Sequence, residues 1–419
     1  MVAGSHDDPV SLPHPAEAAR AALDWVASVA VDVERGQVWA ERGQPYDDLY
    51  AGTAGVLLGC AEATAAGLDT AEVSEGARAR LVHLAHHEDA EPATLPDDGL
   101  FSGWGGVAAA LEAWAGVTGD RESADAAATV RARLASRASR IAPRACTDVI
   151  SGDAGILLAL LADREHDDAV HAVADGLVAT AEATAAGLRW RMTADTSSIM
   201  PGFSHGTAGV AYALAAAGRE LGRADLVEVA ERGAEDLLAL GDHADGWAVP
   251  LVIPPQDHRP PVFFGWCHGP TGTVRLFALL EEIDPQPRWR HAIAACLQAL
   301  RDSRLPARLY PGYWDNLGRC CGTAGVGQLL LDRHLATGDD GLLDWAGELA
   351  DDVLARSLTQ PRGLAWSNTE HTADPPALPA EPGFMQGATG IAAWLARLSA
   401  VQQGRDVPVS VVGLAPPWL

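Results

Sequence analysis

Seven copies of a short glycine signature, G-x-x-G, punctuate this chain: Gly52 to Gly55, Gly103 to Gly106, Gly152 to Gly155, Gly206 to Gly209, Gly269 to Gly272, Gly322 to Gly325 and Gly387 to Gly390. Their first glycines lie 51, 49, 54, 63, 53 and 65 residues apart, the mark of one supersecondary unit repeated in tandem. Each signature runs straight into an apolar stretch of helical character, such as Val56-Leu57-Leu58 or Ile391-Ala392-Ala393-Trp394-Leu395. Between them lie charged stretches with apolar residues at helical spacing, at 16–31, 72–87, 124–140, 168–185, 224–240, 288–301 and 342–356. The pattern predicts an all-α fold, an α/α toroid of seven inner and seven outer helices with the inner N-termini gathered at one end. An unbroken array argues for a single domain over 1–419.

Composition narrows the function. Hydrophobic residues make up 48% of the chain, rich in Ala and Leu, which suits a large helical core. No apolar run reaches the ~20 residues of a membrane span, and the polar stretch Met1 to Pro15 has no signal-peptide core, so the expected location is cytoplasmic. A formal charge of -26 opposes binding to nucleic acid or anionic lipid. In a reducing compartment the six cysteines are free thiols or metal ligands rather than disulfides. Cys60, Cys146 and Cys296 lie in apolar, helical surroundings and read as packing residues.

The other three cysteines fall where the repeat turns into its inner helix. Cys267 precedes the fifth signature, Cys320 and Cys321 precede the sixth, and Ser204-His205 occupies the matching place before the fourth. If the repeats close into a ring, these side chains meet. Three thiolates form a Zn²⁺ site with one position left for an exchangeable ligand, the pattern of catalytic zinc. His268 is then a further ligand or a donor beside the site. His205 suits proton transfer near neutral pH. Asp148, four residues ahead of the third signature, either orients that histidine or caps a helix. Two longer intervals lead into the same mouth: 247–255 with 260–264, read as extended segments around a turn, and Asn368-Thr369-Glu370-His371 with the loop Pro375 to Pro382.

These motifs together resemble the LanC-like lanthionine synthetases across nearly the whole chain: His205-Gly206, Trp266-Cys267-His268-Gly269, Cys320-Cys321-Gly322 and Gly383-Phe384-Met385-Gln386-Gly387. The resemblance implies an α/α toroid with a catalytic zinc that adds a peptide cysteine thiol to dehydroalanine or dehydrobutyrine, making this a lanthipeptide cyclase acting on a dehydrated precursor peptide. It also implies Cys267, Cys320 and Cys321 as metal ligands, with Cys321 standing where many members carry histidine, and His205 and Asp148 as the proton-handling pair. With a substrate thiolate added, such a zinc site carries two net negative charges, which makes the bound sulfur more nucleophilic. Some members place an arginine shortly before the first ligand to stabilise the enolate; here that stretch reads Val262-Phe263-Phe264-Gly265. The chain has no nucleotide-binding loop, so a separate dehydratase is implied. The competing readings are addition of a small thiol such as glutathione, a non-catalytic peptide-binding scaffold with structural zinc, and a glycosidase built on Asp48, Asp98 and Asp148.

Overall fold

The computed structural model describes residues 12–407 apart from 88–89, 139–145, 163–164, 242–246, 258, 308, 310–313 and 369–377. In chain order the helices are α1 (Pro15–Ser28), α2 (Thr53–Ala65), α3 (Ala71–His86), α4 (Trp104–Thr118), α5 (Arg121–Ala138), α6 (Asp153–Leu160) and α7 (Asp167–Ala179). They continue as α8 (Thr207–Leu221), α9 (Ala224–Leu240), α10 (Pro270–Ile283), α11 (Pro287–Asp302), α12 (Thr323–Thr337), α13 (Asp340–Ala355) and α14 (Ala388–Gln402). Even-numbered helices begin at the signatures and are buried nearly all round, as a helix walled in on every side must be; α14 is buried from Ala388 to Val401. Odd-numbered helices bury one face only.

The inner helices pack in sequence from α2 to α14, and α14 packs back against α2. Each pairs with the outer helix that follows it, except α14, whose outer partner is α1. The two ends of the chain thus supply the two halves of one repeat.

A second ring, of backbone hydrogen bonds, runs just ahead of the inner helices. Tyr50 N donates to Phe101 O (2.9 Å), Phe101 N to Ile150 O (2.9 Å), Val149 N to Ser204 O (3.2 Å) and Ser204 N to Cys267 O (2.9 Å). Cys267 N donates to Cys320 O (3.4 Å), Cys320 N to Met385 O (2.8 Å) and Met385 N to Tyr50 O (3.0 Å), which completes the circuit. Every repeat therefore holds the same two positions, one and two residues before its first glycine, at one level of the ring. The signature's second glycine makes this possible by lying against the carbonyl six residues earlier. A Cβ on Gly390 would sit 1.8 Å from Phe384 O, and one on Gly106, the loosest case, 2.4 Å from Leu100 O.

Short strands were not anticipated from the sequence. β1 (Val31–Asp32), β2 (Gln37–Glu41) and β3 (Gln44–Tyr46) form an antiparallel sheet after α1; β4 (Glu182–Ala183) with β5 (Leu188–Arg189), and β6 (Leu358–Thr359) with β7 (Leu364–Ala365), form hairpins after α7 and α13. The stretch read as helical over 168–185 ends at Ala179 because the chain turns into the β4 hairpin. The extended segments expected at 247–264 meet at one bridge, Pro250 to Val262, and Ile253 pairs with Ile199. Among the described residues no helix is long and apolar enough to cross a membrane.

Candidate functional site

Position in the repeat decides what reaches the mouth. One residue before the first glycines stand Ala51, Ser102, Ser151, His205, His268, Cys321 and Gln386; two residues before stand Tyr50, Phe101, Ile150, Ser204, Cys267, Cys320 and Met385. One arc of the ring is chemically inert and the other carries sulfur, imidazole and amide groups on consecutive repeats.

Cys267, Cys320 and Cys321 converge, with all three sulfurs within 4.8 Å of one another. Cys321 Sγ lies 3.5 Å from Cys267 Sγ and 3.5 Å from Cys320 Sγ. Tetrahedral coordination at a Zn–S distance of about 2.3 Å places sulfurs about 3.8 Å apart, so the spacing fits a metal ion gripped by three thiolates. Contact with the Cys267 and Cys320 sulfurs holds Cys321 well below the ordinary thiol range, while Cys267 is driven upward by Cys320. Three thiolates packed this closely repel one another, so ionising all three calls for a cation among them. The N-termini of α10 and α12 open directly behind these cysteines and add their positive dipole ends.

Gln386 and Tyr50 complete the surroundings of the sulfurs. Gln386 Nε2 is 3.4 Å from Cys321 Sγ and 3.3 Å from the Tyr50 hydroxyl, whose pKa is raised by burial and by the neighbouring Cys320. Sequence reasoning named Gln386 only as part of a motif and Tyr50 not at all, although both occupy the two mouth-facing positions of their repeats.

His205 Nδ1 bonds Asp148 Oδ2 at 2.6 Å. The other oxygen of Asp148 accepts from Ser151 N (2.8 Å) and Gly152 N (2.9 Å), so this fully buried carboxylate is fixed by its own loop and fixes the imidazole in turn. Nδ1 being engaged, Nε2 is the nitrogen left for proton exchange. The His268 ring lies 5.8 Å from that of His205 and stands in the repeat between His205 and Cys321. Burial, helped by the neighbouring His205, lowers His268 to about 4, which keeps it a neutral imidazole. Its Nδ1 is buried without a hydrogen-bond partner.

Arg319, next to Cys320 in sequence, does not take the place of the arginine missing before Cys267. Its guanidinium points into the core, 2.6 Å from Glu62 Oε2 and 2.8 Å from Gly390 O, over the Phe384 ring. It anchors the ligand loop to α2 and α14. Cys60 and Cys296 are buried within helices, as expected. Cys146 is not helical: it sits in the loop before the third signature, 3.8 Å from Ser151 Oγ, and burial pushes its thiol up to about 12. The apolar residues that follow it, Val149 and Ile150, belong to the loop ahead of α6 rather than to a helix. His371, and residues 369–377 generally, lie outside the described residues.

Comparisons with known proteins agree with this architecture. No curated protein sequence matches the chain at a significant level. Among solved structures, nisin cyclase superposes with a TM-score of 0.64 at 16% identity, covering 89% of this chain and 93% of that one. An unsaturated glucuronyl hydrolase specific for heparin gives 0.53 at 12% identity, covering 84% and 97%. An inactive variant of the alpha-1,6-mannanase GH76A of Salegentibacter sp. HEL1_6 gives 0.52 at 11% identity, covering 93% and 99%. At such identities these likenesses speak for the fold alone. The sequence model of the family described as Lanthionine synthetase C-like protein matches residues 45–409, most of the chain and all seven signatures, and the chain belongs to that family.

Proposed function

We propose that this protein, acting as one unit over its whole length, is a zinc-dependent lanthipeptide cyclase that joins cysteine thiols of a dehydrated precursor peptide to dehydroalanine or dehydrobutyrine as thioethers. The observation that carries the reading is the convergence of Cys267, Cys320 and Cys321, three soft donors within 4.8 Å in a chain of this family. Three cysteines fill three of the four positions zinc prefers and leave the last to a substrate sulfur. Zinc held there supplies the charge that lets a thiol with an ordinary pKa of about 8.5 ionise near neutral pH.

The remaining work falls to the chain's own residues. Sulfur adds to the β-carbon of the dehydro residue and leaves an enolate, which needs a proton at its α-carbon. His205 delivers it from Nε2, and Asp148, bonded to Nδ1, holds the ring in orientation and steadies the protonated form. The enolate forms beside a cluster of helix N-termini, whose N–H groups favour the negative charge. Dehydration of the precursor is the task of a separate enzyme.

The glycosidases of similar fold raise the reading based on carboxylates, and the carboxylates are committed elsewhere. Asp148 holds His205, Asp48 accepts from the backbone N–H of Ala51 and Gly52, and Asp98 pairs with Arg137. The test incubates the zinc-loaded protein with a dehydrated, cysteine-containing peptide in the presence of glutathione, followed by mass and ring analysis. Intramolecular thioether rings with no glutathione attached mark the cyclase; glutathione adducts mark the small-thiol alternative. Cys320→Ala is expected to lose both zinc and ring formation. His205→Asn is expected to keep zinc and lose about 10²-fold or more in rate. Full activity in a metal-free variant overturns the scheme.

A further inference from the structure

The seam where the chain's two ends meet brings Gln386, from the seventh signature, and Tyr50, from the first, onto the cysteine cluster. Gln386 Nε2 carries two hydrogens and has two acceptors, Cys321 Sγ at 3.4 Å and the Tyr50 oxygen at 3.3 Å. The Tyr50 hydroxyl, buried beside Cys320, accepts that second hydrogen and keeps its own O–H to donate. Gln386 Oε1 is meanwhile buried with no partner, so the amide orientation is set by what its nitrogen donates to. Asn368 Nδ2 donates to Gln386 O at 2.5 Å, and Met385 N to Tyr50 O at 3.0 Å, fixing the backbone on both sides.

The fold does not ask for these groups. At the same two positions of other repeats the ring accepts Ala51, Ser102 and Ser151 in place of the glutamine, and Phe101, Ile150 and Met385 in place of the tyrosine. An amide and a phenol appear only where the sulfurs lie. An all-cysteine set collects more negative charge than one containing histidine, and hydrogen-bond donors around a metal ligand set both its charge and its orientation.

We propose that Gln386, donating N–H to the sulfur of Cys321, and Tyr50, held by the same amide beside the cysteines, are positioning residues of the metal centre that offset the negative charge of a three-cysteine site. The inference rests on the zinc reading above and concerns residues that reading does not use. Zinc affinity of the full-length chain, measured by competition with a chromophoric chelator, is compared for wild type, Tyr50→Phe, Gln386→Leu and Gln386→Glu. Tyr50→Phe and Gln386→Leu are expected to lose about tenfold or more in affinity, and Gln386→Glu, which sets a carboxylate beside the thiolates, to lose more than Gln386→Leu. In the cobalt-substituted protein the sulfur-to-metal charge-transfer band is expected to move to longer wavelength in Tyr50→Phe and Gln386→Leu, because thiolates without donors are more electron-rich. A purely structural role would leave that band in place. Gln386→Asn, which stays polar but withdraws the amide from the sulfur, repeats the comparison should the leucine variant fail to fold. Unchanged affinity and band position in folded variants, with zinc still lost in Cys321→Ala, overturn the inference and leave the zinc reading standing. A wild-type chain that binds no zinc overturns both.

Discussion

Asp48 and Asp148 occupy the same place in two repeats, and each turns one carboxylate oxygen to two backbone N–H groups of its own loop. Only Asp148 has a histidine on its other oxygen. Asp48 lies among burial and the like charges of Glu41 and Asp47, and burial above all raises it from 3.8 to about 7. Through that window the folded chain keeps a proton that the unfolded chain has released, so this group's cost to stability grows as pH rises from about 4 to about 7. Asp48→Asn retains an oxygen for Ala51 and Gly52 and never ionises. Melting temperatures should coincide for wild type and variant below pH 4, and the variant should melt higher at pH 8; equal curves at both pH values would show that Asp48 is solvated. At this scale the sequence was informative where residue type and repeat position coincide, as for His205 and the three cysteines. It was silent for Tyr50, because a tyrosine before a glycine signature announces nothing until ring closure sets it on Cys320.

A second motif, G-x-x-W, hides in the hairpins that follow α1, α7 and α13: Gly36 to Trp39, Gly187 to Trp190 and Gly363 to Trp366. Each tryptophan sends its indole N–H back to the preceding outer helix, at Val26 O (2.9 Å), Leu177 O (2.8 Å) and Val353 O (2.8 Å). The period-2 signal of two-residue strands is too short to read, so sequence patterning found the helices around these hairpins and passed over the hairpins themselves. Each glycine presses on the next outer helix, and at Gly363, with φ of 88°, a Cβ would come within 1.8 Å of Ala21 O on α1. Gly363→Ala combines strained backbone with a clash at the seam, and should cost about 2–3 kcal/mol by chemical denaturation. Gly119→Ala, whose φ of 74° is equally left-handed but which has open space around it, serves as the control and should cost less.

For the molecule as a whole, closure is the property that the glycine period announced and that only coordinates could detail. The period pointed to a ring, whereas the pairing of α1 with α14 depends on contacts between the chain's two ends, which no local pattern records. The proposed metal site lies beside this closure, with its candidate ligands ahead of the fifth and sixth signatures and Gln386 and Tyr50 ahead of the seventh and first. Zinc bound only by the folded ring stabilises it by mass action, by about 2.7 kcal/mol at a hundredfold excess over its Kd. Chelation should therefore lower the melting temperature of wild type, with recovery on adding zinc back, and should leave Cys320→Ala unmoved; an equal shift in both would locate the metal elsewhere. The circuit of seven backbone bonds bears on how a polymer is handled. Among the described residues that circuit is continuous, so under the proposed function a long peptide is expected to reach the sulfurs by laying one stretch at a time across a rim. A product knitted into several loops would then lift away from that rim untangled, with no strand of it threaded through the wall.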